Sequence, residues 1–207
     1  MKKLPISFYN REDVVLIAKE LLGKILVTKF NNTITSGIIV ETEAYIGITD
    51  NASHSYNGKR TLRNEMMYAK RGVAYVYICY GMHHLFNVVT NKKNIPDAVL
   101  IRAIEPLQGI DTMLKRTGKK QLDSTLTKGP GNVGKALGIS KEHSGLNLLE
   151  HQIFIGEDEQ FFNTRKFNET QIGISKRIGV ESAGIAANYP YRFYVKGNKF
   201  VSSYPNK

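Results

Sequence analysis

Two carboxylates stand two residues apart in a strand-like segment of the chain. Residues 38–45 read Ile-Ile-Val-Glu-Thr-Glu-Ala-Tyr and contain Glu41 and Glu43. Because alternate residues of a strand share a face, Glu41, Glu43 and Tyr45 are predicted to lie on one side, with Val40, Thr42 and Ala44 on the other. A partly buried carboxylate on such a face can act as a general base. A solvated edge strand with two inert acids would show the same pattern, and strand geometry does not choose between the two glutamates.

An arginine interrupts a second apolar strand. Arg102 lies within residues 98–104, which read Ala-Val-Leu-Ile-Arg-Ala-Ile. A buried charge without a partner is costly, so we expect Arg102 to meet a carboxylate or an anionic ligand. Glu41 or Glu43 is the natural partner. The pair is either a structural ion pair or part of a functional site.

A tyrosine-rich strand over residues 73–80 runs into a tight turn. Tyr75 and Tyr77 share one face, where two rings can stack on a flat ligand such as a base. Tyr80 ends the strand beside Gly81, and a large flat side chain at a hairpin tip can enter a groove and part base pairs. The alternative is that all three tyrosines are present for their β-propensity alone.

Histidines offer weaker signals. His54 lies in a polar loop, where a lone histidine is more often a surface residue or a local hydrogen-bond partner than a catalyst. His83 and His84 are adjacent, so in a strand they point to opposite faces and chelate poorly. No cysteine cluster supports a metal site, and we expect none.

The glycine-rich residues 129–135 match two nucleotide-binding patterns, G-x-G-x-x-G and G-x-x-x-x-G-K. Both patterns require a hydrophobic strand directly before them, and Ala136 stands where the second requires Ser or Thr. We therefore reject a nucleotide site and expect no cofactor. A helix that begins near residue 130 would still present free N–H groups, which with Lys128 and Lys135 would suit one DNA phosphate.

The overall charge favours a polyanionic partner. The 207 residues carry 29 Lys and Arg against 18 Asp and Glu, a net charge of +11, and nucleic acid is the commonest polyanion in cells. A merely basic protein, or one that touches an anionic membrane face, is the alternative. The sequence has no membrane-length apolar run, no signal-peptide pattern and one cysteine, Cys79, so we expect a soluble protein of a reducing compartment.

Hydrophobic periodicity predicts the elements of one α+β domain over residues 1–207. Helices are expected at residues 10–22 with Asn10 as the cap, and near 63–69, 107–116, 130–138 and 181–187. Strands are expected at residues 24–30, 37–45, 73–80, 85–90, 98–104, 152–155, 170–174 and 192–196. Their hairpin order predicts a largely antiparallel sheet.

Several blocks of residues together carry a resemblance that no single motif carries. They keep their order and spacing along nearly the whole chain, at residues 41–45, 52–55, 63–64, 75–83 with Asn87, 99–106, 128–131, 135–139, 177–180 and 190–195. This pattern resembles the alkyladenine (3-methyladenine) DNA glycosylases of the type first known from mammals, which have many bacterial members. The resemblance implies a curved antiparallel sheet with surrounding helices and a protruding DNA-inserting hairpin, similar to the C-terminal RNA-binding domain of a formyltransferase.

The resemblance also implies roles for matching residues. Glu43 is similar to the general base that activates water, and Arg102 to the arginine that positions that water and the carboxylate. The pocket for the flipped base would be formed by Tyr45, His54, Tyr77, Asn87 and Val180. Tyr80 resembles the tyrosine inserted into the minor groove, with Met82 and His83 beside it. The candidate phosphate contacts are Arg63, Lys128 and Lys135.

The implied activity is that of a monofunctional DNA glycosylase. It would flip alkylated or deaminated purines (3-methyladenine, 7-methylguanine, hypoxanthine and ethenoadenine) from duplex DNA, hydrolyse the N-glycosidic bond without metal or cofactor, and leave an abasic site. It would act as a monomer in the bacterial cytoplasm, associated with the nucleoid while on DNA. Two alternatives are a catalytically silent nucleic-acid-binding module on the same fold and a nucleotide-hydrolysing enzyme, which Ala136 disfavours.

Three features depart from the family pattern. Asn132 stands where members usually carry lysine, which puts one phosphate contact in doubt. Leu62 replaces a proline or polar residue before Arg63. The sequence also lacks the long N-terminal extension of mammalian members. None of these features falls on the residues implied to act on the base.

Overall fold

An antiparallel sheet of nine strands forms the frame of the described part of the chain, residues 1–158 and 167–202 of this computed structural model. The strands are β1 (Lys2–Lys3), β2 (Ile25–Phe30), β3 (Thr33–Tyr45), β4 (Val73–Cys79), β5 (His83–Val89), β6 (Ala98–Gln108), β7 (Ile153–Glu157), β8 (Ile172–Ser175) and β9 (Arg192–Val195). Their order is β1-β7-β2-β3-β6-β5-β4, and β9 pairs with both β3 and β8. The predicted α+β class with a largely antiparallel sheet is confirmed.

Helices cover the sheet and connect its strands. The α-helices of the described residues are α1 (Ile6–Tyr9), α2 (Val14–Glu20), α3 (Ile110–Thr117) and α4 (Pro130–Leu137). Short 3-10 helices lie at Tyr56–Gly58, Glu65–Tyr68, Ser124–Leu126, Lys141–His143, Glu169–Gln171 and Gly184–Asn188. The segments predicted as helices near 63–69 and 181–187 are therefore single 3-10 turns, which need fewer residues than an α-helix.

The helix predicted at residues 10–22 corresponds to α2, which begins later than predicted, and Asn10 does not cap it. Asn10 instead ends α1, where its N–H donates to the Ile6 carbonyl at 3.0 Å. The N-cap of α2 is Asp13, whose carboxylate accepts from the Leu16 N–H at 2.8 Å. A side chain can cap a helix only when it directly precedes the first turn, and Asp13 holds that position.

The strand that carries the two carboxylates is longer than predicted and strongly curled. It starts at Thr33 because Asn31 and Asn32 both adopt positive φ angles, 48° and 60°, in a tight two-residue turn. Irregularities in its register with β6 follow Ser36, Ile39 and Glu41. Such bulges bend a strand. They allow β3 to pair with β2 at one end and with β9 at the other.

The main core lies between the sheet and helices α2, α3 and α4, and the carboxylates face away from α2. The Thr42 hydroxyl donates to the Ala18 carbonyl of α2 at 2.7 Å, so Glu41 and Glu43, its neighbours along the strand, point to the opposite side. Strict alternation nevertheless fails at the bulge. Val40 packs with Ile38 in a second apolar cluster and not with Ala44 in the main core, contrary to prediction.

Candidate active site

The carboxylate of Glu43 is fully buried and tightly hydrogen-bonded. Its Oε2 accepts from the Tyr45 hydroxyl at 2.9 Å and from Arg102 Nη1 at 3.3 Å, and its Oε1 accepts from the Ile178 N–H at 2.8 Å. Tyr45, Arg102 and Ile178 all line one cavity of about 410 Å³. The carboxylate therefore lies directly behind the wall of that cavity, joined to it by three donors.

Glu41 is equally buried but has fewer bonds to residues that line the cavity. Its Oε1 accepts from Arg102 Nε at 3.1 Å and Arg192 Nε at 2.7 Å, while its Oε2 accepts from the Ser202 N–H at 2.8 Å. Of these three donors only Arg102 lines the cavity. Three residues of the cavity lining therefore bond to Glu43 and one bonds to Glu41, a difference that strand geometry could not give.

The sequence predicted that Arg102 would pair with Glu41 or Glu43, and in the structure it bonds to both. Burial alone would lower the pKa of its guanidinium, but the Glu43 and Glu41 carboxylates outweigh that effect and raise it. The pKa of the Tyr45 phenol is also raised, well above its usual range, by burial and then by the charge of Glu43. Tyr45 therefore stays protonated and donates to the carboxylate.

An aromatic group forms one side of the cavity. His54 Nδ1 lies 2.8 Å from the Tyr75 hydroxyl, and the His54 ring meets the Tyr77 ring edge-on, with centroids 4.5 Å apart. Burial, followed by the charges of Arg63 and Lys59, lowers the pKa of His54 to about 4. The imidazole is therefore neutral near pH 7 and is fixed by the Tyr75 hydroxyl rather than free to turn.

Asn87 and Val180 line the same cavity from different elements. The amide nitrogen of Asn87 donates to the carbonyls of Tyr75 and Leu85, each at 3.2 Å, which fixes this buried side chain on β5. Val180 comes from the segment between β8 and β9, next to Ile178. The structure thus brings together Tyr45, His54, Tyr77, Asn87, Arg102 and Val180 around one space, with Glu43 behind its wall.

The tip of the β4–β5 hairpin projects at the edge of this cavity. Tyr80 also lines the cavity, yet its side chain is 89% exposed, and Met82 is 70% exposed. Tyr80 and Gly81 form the turn with φ angles of 50° and 71°, so Tyr80 belongs to the turn and not to the strand as predicted. Two large side chains at the tip of the hairpin, Tyr80 and Met82, are therefore open to water.

Comparison with known proteins identifies the family of this chain. The model of the methylpurine-DNA glycosylase family matches residues 7–199. A protein of Clostridium perfringens (strain 13 / Type A) is 44% identical over 97% of this chain and 98% of its own length. One from Chlamydia felis (strain Fe/C-56) is 46% identical over 95% of this chain and 97% of its own length. Both relatives carry the name "Putative 3-methyladenine DNA glycosylase".

The chain belongs to the methylpurine-DNA glycosylase family. As a DNA glycosylase it is a hydrolase of N-glycosyl bonds that acts on DNA in repair. Within the described residues, no helix is long and apolar enough to cross a membrane. The same part of the chain contains no cluster of three His, Cys, Asp or Glu side chains that could hold a metal ion.

The candidate phosphate contacts of this glycosylase lie in different places. Arg63 stands at the cavity mouth, where its guanidinium covers the Tyr77 ring at 5.5 Å and donates to the Ile78 carbonyl at 3.3 Å. Lys128 directly precedes Gly129, the N-cap of α4. Lys135, however, lies in the last turn of α4 with its Nζ 3.4 Å from the Thr117 carbonyl. The two lysines therefore do not form the joint site at the start of α4 that the sequence suggested.

Asn132, which the sequence analysis took as a departure from the family pattern, has a structural role. The Asn132 amide donates to the carbonyls of Thr125 at 3.1 Å and Lys128 at 2.8 Å, so it closes the turn that leads into α4. The start of α4 also packs against the hairpin, because a Cβ at Gly131 would lie 2.8 Å from the His83 ring. His83 therefore has a packing role in the described structure, beside the hairpin tip.

A buried ion pair that the sequence did not predict lies behind Tyr45, one of the residues that line the cavity. Arg177 pairs with Asp50, and its guanidinium also donates to the carbonyls of Ala44 at 2.8 Å and Ala186 at 3.1 Å. The guanidinium lies 4.7 Å from the centroid of the Tyr45 ring. It thus joins the end of β3 to the loop after it and to the segment that supplies Ile178. Residues 174–180 show no apolar strand around Arg177, so no pattern marked it as buried.

Proposed function

We propose that this glycosylase flips a damaged purine out of duplex DNA and hydrolyses its N-glycosidic bond with a water activated by Glu43. The observation that carries the proposal is the position of the Glu43 carboxylate, which is fully buried and bonded to three residues that line the aromatic cavity. The proposed substrates are 3-methyladenine, 7-methylguanine, hypoxanthine and ethenoadenine. The relatives' names support the first of these.

The cavity suits a flat, electron-poor base. A volume of about 410 Å³ is within the range of small-ligand pockets. Aromatic faces attract cations, so Tyr45, Tyr77 and the neutral His54 ring favour purines made cationic by alkylation. Asn87 is held rigidly by two backbone carbonyls and can reject an additional exocyclic amine by steric conflict.

The chemistry follows from the unused capacity of the carboxylate. A carboxylate has about four acceptor positions, and Glu43 has three protein donors, which leaves one for a water. As the bond between C1′ and the base nitrogen breaks, the water oxygen bonds to C1′ and its proton passes to Glu43. A cationic alkylated base leaves as a neutral molecule with the bonding electron pair. A neutral base such as hypoxanthine must in addition gain a proton from solvent.

Recognition of duplex DNA is assigned to the exposed rim. Extruding a base costs a few kcal/mol of stacking and pairing, and a lesion that pairs poorly lowers that cost. Tyr80, with Met82 beside it, fills the gap left in the helix, while Arg63 and Lys128 contact phosphates. The net charge of +11 supports a polyanionic substrate. We propose further that the enzyme acts as a monomer on the nucleoid in the bacterial cytoplasm.

Base excision tests the proposal directly. The protein would be incubated with labelled duplexes that contain one hypoxanthine or ethenoadenine, and with alkylated DNA, and abasic sites would then be cleaved with alkali. We expect strand breaks only after alkali treatment, which marks a glycosylase without lyase activity. Tight binding with no strand breaks on any of these lesions would instead support the nucleic-acid-binding module.

A further inference from the structure

The second buried carboxylate, Glu41, holds the arginine that contacts Glu43. Arg102 donates through Nε to Glu41 at 3.1 Å and through Nη1 to Glu43 at 3.3 Å. Both carboxylates are fully buried and the Arg102 side chain is 8% exposed, so solvent screens these charges little. The guanidinium is thus divided between two acceptors rather than paired with one.

An undivided arginine would block the site. A guanidinium pairs most strongly with a carboxylate when two parallel N–H groups reach its two oxygens. If Arg102 paired in that way with Glu43, a second N–H would occupy the acceptor position that a water needs. The bond from Arg102 Nε to Glu41 opposes this arrangement, because it holds the guanidinium in an orientation in which Nη1 alone donates to Glu43.

Glu41 is itself fixed by two further donors. Arg192 on β9 donates through Nε at 2.7 Å, and the Ser202 N–H donates at 2.8 Å. Neither residue lines the cavity. The four side chains therefore form a row of two guanidiniums and two carboxylates, in the order Arg192, Glu41, Arg102 and Glu43.

We propose that Glu41 is a positioning residue for base excision: it holds Arg102 in an orientation that offers Glu43 a single N–H and leaves that carboxylate free to accept a water. The inference rests on the proposed function, because it assumes that Glu43 activates the water. Glu41 does not touch the substrate. Its removal should therefore slow the chemical step and leave DNA binding intact.

Two variants separate positioning from simple charge balance. Glu41→Gln keeps the shape of the side chain but leaves one buried guanidinium in excess. The double variant Glu41→Gln with Arg192→Gln restores the balance of one arginine and one carboxylate, yet still lacks the acceptor for Arg102 Nε. For both variants and the wild type we would measure melting temperature, affinity for a duplex with an abasic analogue, and single-turnover excision of hypoxanthine at saturating protein.

We expect Glu41→Gln to lower the saturating excision rate by on the order of 10²-fold, the cost of misplacing a catalytic group, with affinity changed less than about threefold. The double variant should regain thermal stability but not rate. Recovery of the rate in the double variant would overturn the proposal, because Glu41 would then only balance charge. A near-wild-type rate in Glu41→Gln would also overturn it, and the proposed function would survive if Glu43→Gln remained inactive. If the wild type released no base, both the positioning role of Glu41 and the proposed function would be wrong.

Discussion

The carboxylate face of β3 lies behind the wall of the cavity, the tip of the β4–β5 hairpin lies at its edge, and the two regions are built in opposite ways. Glu41 and Glu43 are fully buried, and each accepts three hydrogen bonds from fixed donors. Tyr80 and Met82 are mostly exposed, and their turn projects from the sheet. The first region is organised before substrate arrives, whereas the second presents apolar surface that only a partner can cover.

This contrast separates the two costs that a glycosylase must meet. Bond hydrolysis depends on charges placed in advance in a site shielded from water, because reorganising solvent around a developing charge costs free energy. Opening a duplex depends on surface that gains contacts only when a base has left. A change in the carboxylate face should therefore reduce the reaction rate, and a change in the hairpin tip should reduce affinity.

The largest expected effect is that of Glu43→Gln. The amide cannot take a proton from water, so we expect excision to fall by about 10²- to 10⁴-fold, the usual contribution of a general base. Affinity for a lesion duplex should stay within a few-fold of the wild type. Single-turnover excision and fluorescence anisotropy would measure the two quantities.

Glu12→Gln is the matched control for that substitution, since Glu12 forms an exposed ion pair with Lys92 far along the chain from β3. Its excision rate should equal that of the wild type. Release of base by Glu43→Gln at close to the wild-type rate would show that another group, with Glu41 the next candidate, activates the water.

Tyr80→Ala should show the reverse pattern. Loss of a stacking ring costs about 1–3 kcal/mol per base, so affinity for a duplex with an abasic analogue should weaken by about 5- to 150-fold. The melting temperature should not change, because the side chain is 89% exposed and supports no core. Ile34→Ala serves as the control, as Ile34 is exposed at the opposite end of β3 from Tyr45. Unchanged affinity in Tyr80→Ala would remove the role of Tyr80 as a wedge.

The two regions also differ in how far the sequence predicted them. Local pattern was enough for the hairpin, because β-branched and tyrosine residues followed by Gly81 define a strand and its turn. It was enough for Arg102 as well, since an arginine within an apolar strand must be paired. Arg192 begins the last strand in a similar way, and the same reasoning would have found it.

Long-range contacts were beyond the sequence pattern. The choice between Glu43 and Glu41 depends on how many residues of the cavity lining bond to each carboxylate, and one of these residues, Ile178, is more than a hundred residues away in the sequence. The Asp50–Arg177 pair joins two loops with no apolar pattern. The sequence grouped Lys128 and Lys135 at one phosphate, but Lys128 precedes the N-cap of α4 and Lys135 lies in its last turn.

His54 provides a smaller effect that tests whether the aromatic wall belongs to the buried region. Burial lowers its pKa to about 4 in the folded protein, against about 6.5 in an unfolded chain. Between these values only the unfolded state binds the proton, so stability is present above pH 6.5 and is lost as the pH falls towards 4. We expect the melting temperature of the wild type to drop more between pH 7.5 and 5 than that of His54→Gln. Equal drops would mean that the ring is open to water like the hairpin tip.

The smallest expected effect concerns Arg63, at the mouth of the cavity. Each phosphate contact contributes a slope of about −0.9 to the dependence of log affinity on log salt for duplex DNA. Arg63→Ala should therefore make this slope less negative by about one unit and weaken binding to all duplexes alike, without altering the excision rate at saturating protein. Lys29→Ala is the matched control, because Lys29 is an exposed cation on β2. Its backbone lies opposite Ile34, at the end of β3 that is far from Tyr45. If both variants changed the slope equally, DNA would be attracted by net charge over the whole surface. A change confined to Arg63→Ala would place a phosphate beside Tyr77, where a flipped nucleotide must enter.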